Sequence, residues 1–566
     1  MILGSVRRTV QSHPLATTVV LAVLSGALAI GSLVGVLLTA ERTPAVYSYG
    51  SIDVAGCAAG APATPKRQFR AMWITSVANI DWPSRPGLDQ ATIKAEYLSW
   101  LDVAVRNRLN AVVVQVRGAG DAFWPGAAEP WSQYLTGVRG ADPGWDPVGF
   151  AVAEAHRRGL EFHAWFNPYR GSMPAPTGAG TDPAQLPADH PLRKHPEWAV
   201  AYPVAGAGAR LHYNPGEPAA RRFVEDLMLD VVRRYDVDGV PFDDFFYPYQ
   251  TAGKDFGDDA SFAANHGDFT DRAAWRRNNI DLMIKEMHER IHALKPWVRF
   301  GVSPFGIWRN ARDDPAGSAT TGNQSYTANY ADTRTWVKQG WIDYIVPQLY
   351  WNIGFTVADY ATLVAWWSQT VAGTNVQLYI GQAPYRLGSG GAWNNPGELS
   401  AHLALNRRYP QVTGDVYFSA KDVRADRLGG MAKVVAEHYP APALTPRIGT
   451  GTAGTRSAPV ITSATPDPET GSVVLAWQPP SRPVSGADQV RSYAVYRFDE
   501  AAPTDRCGFA DAGHLIATTS GHTVTDASAV AGHRYAYLVT AVDRMGRESD
   551  ASAPSMVGAA GGGPTG

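Results

Sequence analysis

Cysteine is almost absent. The two copies in 566 residues, Cys57 and Cys507, stand far apart and carry no metal-ligand spacing. That argues against a zinc site, a cysteine nucleophile or a multi-bridge disulfide scaffold, and leaves open one long-range disulfide. An excess of one charge is missing too. Fifty Lys and Arg stand against 52 Asp and Glu, a formal net charge of −2, and no basic stripe is present. A polyanion partner is not expected, and nucleic acid least of all. No glycine-rich dinucleotide fingerprint follows the first strand-like run. Gly118 and Gly120 are not followed by Lys-Ser/Thr, so they make no phosphate loop. His163 and Asp243 have no further His or carboxylate at a telling spacing. Neither a metal nor a cofactor is expected.

What is present is a folding chain, 45% hydrophobic and 18% charged. Aromatics reach 11%, with 18 Trp, which serve either as buried bulk or as stacking platforms for sugars. At the N-terminus, Arg7 and Arg8 precede an uncharged run from Pro14 to Ala40. A helix of that length spans a hydrocarbon core of about 30 Å. The run exceeds the apolar region of a cleaved signal, and the arginines place the N-terminus in the cytoplasm. The expectation is a signal anchor, a single-pass membrane helix with the rest of the chain outside the cell. A cleaved signal and a secreted chain is the alternative. Val54-Ala55-Gly56-Cys57 looks like a lipoprotein box, but Glu41, Arg42 and Asp53 separate it from the apolar run.

From Phe69 onward, short runs rich in β-branched and aromatic residues alternate with amphipathic stretches, which argues for βα units and a parallel sheet. Eight candidate strands follow: Phe69–Val77, Ala111–Arg117, Glu161–Asn167, Gly239–Asp244, Val298–Ser303, Ile342–Leu349, Val376–Gly381 and Asp415–Ser419. Between them, Asp146-Pro147 reads as a helix start and Gly159 as a stop. Phe223, Leu227 and Val231 share one helical face, as do Met283, Met287 and Ile291. The pattern fits an α/β (β/α)₈ TIM barrel, with a doubly wound open sheet as the alternative. Long loops after the third and fourth strands, Pro168–Gly216 and Tyr247–Asp271, would lie at the C-terminal face, where barrels build active sites.

A different pattern follows: Val473–Trp477, Ser492–Arg497 and Tyr535–Val542 alternate as strands, with a Trp on an early one. This resembles a fibronectin type III sandwich, a small all-β domain. The expected organisation is 1–40 cytoplasmic stub and anchor helix, 41–67 tether, 68–437 barrel, 438–457 linker, 458–557 sandwich and 558–566 tail.

The fourth strand ends Gly239-Val240-Pro241-Phe242-Asp243-Asp244-Phe245-Phe246-Tyr247-Pro248. Two adjacent carboxylates in an apolar setting are costly to place without a task. Burial raises a carboxyl pKa and two close carboxylates push their values apart, so one donates a proton while the other stays ionised. Other strand ends carry amide, guanidinium and indole groups suited to polyols. These are Gln115, Arg117 and Asp121; His163, Trp165, Asn167 and Arg170; Ser303, Trp308 and Arg309; Gln348, Tyr350, Trp351 and Asn352; Gln382 and Tyr385.

These blocks make the chain recognisable. Phe69-Arg70-Ala71-Met72-Trp73-Ile74, Asn79-Ile80-Asp81-Trp82-Pro83-Ser84, Trp165-Phe166-Asn167-Pro168-Tyr169-Arg170, the Asp-Asp-Phe-Phe-Tyr-Pro stretch, Gly301-Val302-Ser303-Pro304-Phe305-Gly306-Ile307-Trp308-Arg309 and Pro347-Gln348-Leu349-Tyr350-Trp351 occur in order. The sequence resembles the glycosyl-hydrolase-like family 10 proteins of the bacterial envelope over most of Arg67–Tyr385. It departs at Pro241, where the family usually has His. The resemblance implies hydrolysis of glycosidic bonds in envelope polysaccharide, above all peptidoglycan strands stripped of stem peptides. Asp243 and Asp244 are then the catalytic residues. Trp73, Arg117, Asp121, Trp165, Asn167, Arg170, Trp308, Gln348, Tyr350, Trp351 and Tyr385 are the expected substrate contacts.

Carboxyls about 5–5.5 Å apart retain anomeric configuration and those about 6.5–9.5 Å apart invert it. For a 2-acetamido sugar a third route exists. The acetamide oxygen attacks the anomeric carbon, Asp243 orients the acetamide, Asp244 protonates the leaving oxygen and Tyr350 bonds the acetamide. Asp121 is the reserve carboxylate. The alternative function is a wall-anchoring module that binds glycan without cutting it.

Overall fold

A computed structural model describes residues 65–449, 457–481, 484–503 and 506–558. The apolar run Pro14–Ala40, with the expected anchor helix, lies outside the described residues, as do Cys57 and the chain beyond Gly558. Among the described residues no helix is long and apolar enough to cross a membrane. Cys507 is disulfide-bonded.

Eight parallel strands close into a barrel in simple sequential order: β1 Phe69–Ile74, β2 Ala111–Arg117, β3 Glu161–Phe166, β4 Gly239–Phe242, β5 Arg299–Val302, β6 Tyr344–Ile345, β7 Gln377–Gln382 and β8 Val412–Tyr417. Helices return the chain between strands. The expected cap is present in α1, Pro147–Arg157, where the Asp146 side chain accepts from Gly149 N at 2.9 Å and Pro147 starts the first turn. Helices α2, Pro218–Arg234, and α3, Arg272–Leu294, bury Leu227, Val231, Met283, Met287 and Ile291 against the strands.

The strands are shorter than their apolar runs. β6 keeps two residues of the expected Ile342–Leu349, because Pro347 has no N–H to give the ladder. Pairing resumes at Gln348, opposite Phe305 and Gly381. β4 stops at Phe242, before both aspartates. The long loop Pro168–Gly216 contains an antiparallel hairpin, Ala199–Val204 with Gly208–Tyr213.

Alternation along each strand fills the barrel interior. Phe69 stacks on Tyr379 with ring centroids 4.4 Å apart. His163 lies in this packed layer, with Nδ1 2.9 Å from Tyr344 Oη and Nε2 3.1 Å from Glu161 Oε2. It is a core histidine below the site. Gly239 faces it, and a Cβ there would lie 2.3 Å from its ring. The same alternation carries Pro241 and then Asp243 inward, above that layer.

Seven further strands form two antiparallel sheets: β9 Val460–Pro466, β10 Val473–Gln478, β11 Val490–Asp499, β12 Leu515–Thr519, β13 Thr523–Asp526, β14 Arg534–Asp543 and β15 Ser555–Gly558. One sheet has the order β9-β10-β13 and the other β12-β11-β14-β15. Trp477 and Tyr493 meet in the core between them.

This sandwich covers the N-terminal mouth of the barrel. Arg491 of β11 donates to Glu161 at 2.6 Å and to Asp238 at 3.0 Å. Glu161 also accepts from Arg299 at 2.5 Å, and Asp238 lies 2.8 Å from His156 Nε2. Glu548 of the sandwich receives Lys66 at 2.8 Å and Arg67 at 3.1 Å. The first part of the segment read as a linker is pinned beneath the floor. Arg70 donates to Ala441 O at 2.8 Å, Asn110 to Ala443 O at 3.0 Å and Arg299 to Pro446 O at 2.7 Å. Glycine and proline there mark an irregular path rather than a free one.

Burial raises both floor carboxyls, but Arg299 and Arg491 hold Glu161 well below the usual range, and Arg491 with His156 brings Asp238 down to about 2. Such depressed groups stabilise the fold above their unfolded values near ~4, and that contribution is lost as pH falls through the folded values. Replacing Arg491 by Ala is expected to cost about 3 kcal/mol in urea unfolding at pH 7, the lower end for a broken buried pair, since Glu161 keeps Arg299. The deficit should shrink towards pH 2. Lys433→Ala, at an exposed helical pair, should leave the unfolding midpoint unchanged.

Candidate active site

The C-terminal mouth of the barrel opens into a cavity of ≈ 300 Å³, within the size range of small-molecule sites. Its walls come from the ends of seven strands, β8 through Phe418. β1 contributes Trp73 and Thr75, β2 Gln115, β3 Trp165 and Arg170, β4 Asp243 and Asp244, β5 Ser303, and β6 Gln348 and Tyr350. Phe245 and Phe418 complete the apolar surface. Trp73 and Trp165 meet edge to face with centroids 4.9 Å apart, and Tyr350 stacks towards Phe418 at 6.2 Å.

The chain turns at Asp243 because its own Oδ1 accepts from Phe245 N, two residues on, at 3.2 Å. Its Oδ2 accepts from Trp165 Nε1 at 3.1 Å and from Asn167 Nδ2 at 3.2 Å. Both partners sit at the end of β3, the neighbour of β4, so adjacent strands fix the carboxylate. Asn167 in turn accepts from Arg170 N at 3.1 Å. Asp244 lies beyond the strand and receives the Tyr249 hydroxyl from the following loop. The strand has ended before the pair, so the opposed directions of strand neighbours do not bind them, and both line one cavity.

The aspartates are 4% and 8% exposed, and burial raises both. Burial first, then the Asp244 charge, pushes Asp243 up to about 7, against the opposing pull of Arg170, the Phe245 N–H and Trp165. Burial raises Asp244 as well, opposed by its bonds to Tyr249 and Gln348. Asp243 is therefore the member of the pair that holds a proton near neutral pH in the free chain. Its three N–H donors fit it to become the anion once that proton moves on, while Asp244 faces the Tyr249 hydroxyl, a group that can both donate and accept. Trp73 Nε1, Thr75 Oγ1 and Gln115 Nε2 are buried without a partner, as expected of a site built for a polar ligand.

Of the expected contacts, Trp73, Trp165, Arg170, Gln348 and Tyr350 line this cavity, and Asn167 reaches it through Asp243. Others do not. Arg117 is fully buried and bidentate to Glu129, 2.7 Å on each arm, so it braces the end of β3 instead. Asp121 is fully buried and caps Ala119 N at 2.9 Å, so no second distant carboxylate faces the cavity. Trp308 donates to Asp332 at 2.8 Å and stacks on Trp366, outside the cavity. Trp351 packs on Phe305, and Tyr385 backs Tyr350 edge to face at 5.9 Å. Thr75, Tyr249 and Phe418 were not among the expected contacts, although Thr75 and Phe418 directly follow the ends of β1 and β8 and Tyr249 directly follows the Asp-Asp-Phe-Phe-Tyr-Pro stretch. Elsewhere, His292 Nε2 lies 3.0 Å and His288 Nε2 3.7 Å from the two oxygens of Asp343, a group able to hold a metal ion. The signal for it is the four-residue spacing of the histidines on α3.

Comparison with known proteins agrees with this geometry. The profile described as Glycosyl hydrolase-like 10 matches residues 68–396. Glycosyl hydrolase YngK of Bacillus subtilis (strain 168) is 42% identical over 500 residues, 87% of this chain and 94% of that one. Glycosyl hydrolase DigH of Escherichia coli (strain K12) is 38% identical over 378 residues, 63% of this chain and 84% of that one. A match over residues 68–396, together with 42% identity to a relative across 87% of this chain, places the chain in the glycosyl hydrolase-like 10 family.

Proposed function

We propose that this chain hydrolyses glycosidic bonds in an envelope polysaccharide built from 2-acetamido sugars, with peptide-free peptidoglycan strands as the substrate. The observation that carries the reading is the Asp243–Asp244 pair, buried together at the wall of an aromatic-lined cavity, where loss of water raises both carboxyls. The names of both relatives support it, as does the expected extracytoplasmic placement of the barrel. The sandwich, with three strands on one sheet and four on the other, is read as a fibronectin type III-like module.

The donor pattern fits a substrate-assisted reaction. The acetamide carbonyl oxygen attacks the anomeric carbon as the bond to the leaving oxygen breaks. Asp244 delivers its proton to that oxygen. Asp243, whose own proton passes to Asp244 as substrate binds, is then the anion that accepts the acetamide N–H and offsets the positive charge that develops on the ring formed. The Tyr350 hydroxyl, whose pKa burial raises well above its ordinary value, stays protonated and donates to the acetamide. Water then adds to the anomeric carbon, Asp244 takes its proton, and the acetamide is released. Trp73 and Trp165 offer flat faces to the pyranose.

Incubating the full chain with peptide-free strands should yield shorter saccharides by mass spectrometry. Asp243→Asn and Asp244→Asn should each slow the release by at least about 100-fold, the usual worth of an acid or base group. Co-sedimentation with intact strands and no cleavage would replace hydrolysis by a glycan-binding role. The pH profile provides a second check. The reaction needs the proton that Asp243 holds in the free chain, so the rate should fall about tenfold per unit once pH passes about 7.

Stability follows the same sign. The folded pKa of Asp243 lies above its unfolded value near ~4, so its contribution is fully present below that value and is lost as pH rises through about 7. The midpoint of Asp243→Asn should therefore gain on wild type from pH 4 to pH 8. Parallel curves would mean that the carboxyl titrates normally.

A further inference from the structure

Beside the carboxylate pair the cavity wall carries Arg170, which feels the charge of the two aspartates but makes no hydrogen bond to either. Arg170 follows β3, and its backbone pairs in antiparallel fashion with His212 on the second strand of the loop hairpin. Residues two apart on a strand share a face, so Arg210 stands beside His212 on the side that Arg170 occupies. The proximity shows in the electrostatics: Arg170 depresses Arg210, and both depress His212.

All three are short of partners. Arg170 is 6% exposed and lines the cavity, yet its guanidinium makes no hydrogen bond or ion pair among the described residues. It lies over the Phe245 ring, 4.2 Å from the centroid. Arg210 Nε and His212 Nε2 are also buried without a partner. Burial, and then the neighbouring Arg170, lower Arg210 to about 9, so it still carries its charge at neutral pH. His212 is neutral there. Asp243 and Asp244 act on Arg170 through charge alone and leave its donor fork without a hydrogen bond among the described residues. A buried guanidinium without an acceptor is among the costlier arrangements a fold keeps, and a planar fork of donors fits a carboxylate.

We propose that Arg170 and Arg210, with His212 beside them, form an anion subsite that takes a carboxylate borne on the sugar adjoining the cleaved bond. The inference rests on the glycosidase reading above and narrows its substrate to an acidic strand. In a muramic acid residue the lactyl carboxyl is charged only when no peptide is joined to it, since an amide there carries no charge. The subsite thus supplies a physical reason for selecting peptide-free strands: it reads the charge that peptide attachment removes.

The test compares two substrates on the full chain: peptide-free strands with free lactyl carboxylates, and the same strands converted to methylamides. Wild type should cleave the carboxylate form with at least tenfold higher kcat/KM, and the preference should weaken as salt is raised. Arg210→Gln should bring the ratio to about one, and Arg210→Lys, which keeps a charge, should retain part of it. In parallel, binding of both strands to Asp244→Asn is measured with and without Arg210→Gln. Equal cleavage or equal binding of the two strands by chains with Arg210 intact would overturn the subsite and leave the hydrolase standing. A preference unchanged in folded Arg210→Gln would also overturn it. Tenfold tighter binding of the carboxylate strand, lost with Arg210→Gln but without any cleavage in wild type, would keep the subsite and remove the hydrolase reading. Binding of neither strand would overturn both.

Discussion

Placing a carboxylate above a packed apolar layer is the constraint around which the upper half of the barrel is arranged. Asp243 loses water on every side, and three N–H groups replace that water. Two of them belong to the neighbouring strand, so Trp165 and Asn167 must arrive at fixed heights. Asn167 is held by the turn into Arg170, and that turn by the Arg117–Glu129 pair, which has no exposure to solvent. The rigidity of an internal ion pair, transmitted through one strand end, is what lets the aspartate remain in place without water. Preorganisation of this sort is where an enzyme's electrostatic advantage arises.

The opposite mouth obeys the same logic with a different solution. Glu161 and Asp238 are as buried as the site carboxyls, yet their pKa values move down, because Arg299, Arg491 and His156 outweigh both burial and the repulsion between the two carboxylates. Similar desolvation therefore gives opposite protonation at the two ends. One end is tuned to hold a proton at neutral pH and the other to stay ionised far below it.

The parts of this structure that cost free energy locally were legible in the sequence. An Asp pair inside Pro-Phe-Asp-Asp-Phe-Phe announces itself, as does the Asp146-Pro147 cap, since neither has a cheaper explanation. Strand ends were less so. Arg117 and Trp308 have the chemistry of ligands, and only their partners, Glu129 and Asp332, show that they are braces. Arg210 and His212 were hidden because the register of a hairpin within a long loop brings them to Arg170. Arg491 stands one residue before the strand read from the sequence as Ser492–Arg497, and the observed strand begins earlier, at Val490. The partners of Arg491 lie far upstream, and no local pattern encodes an encounter between two domains.

That encounter bears on the order in which the molecule is made. A ribosome releases all eight barrel strands before it reaches β11, so the newly formed barrel waits with Glu161 and Asp238 short of their shared arginine. The carbonyls of residues 441–446 reach Arg70, Asn110 and Arg299 earlier, as a provisional closure. The module that follows the barrel in the chain is therefore the last piece of the barrel's own floor, and a nascent chain stalled before it would present an unfinished base.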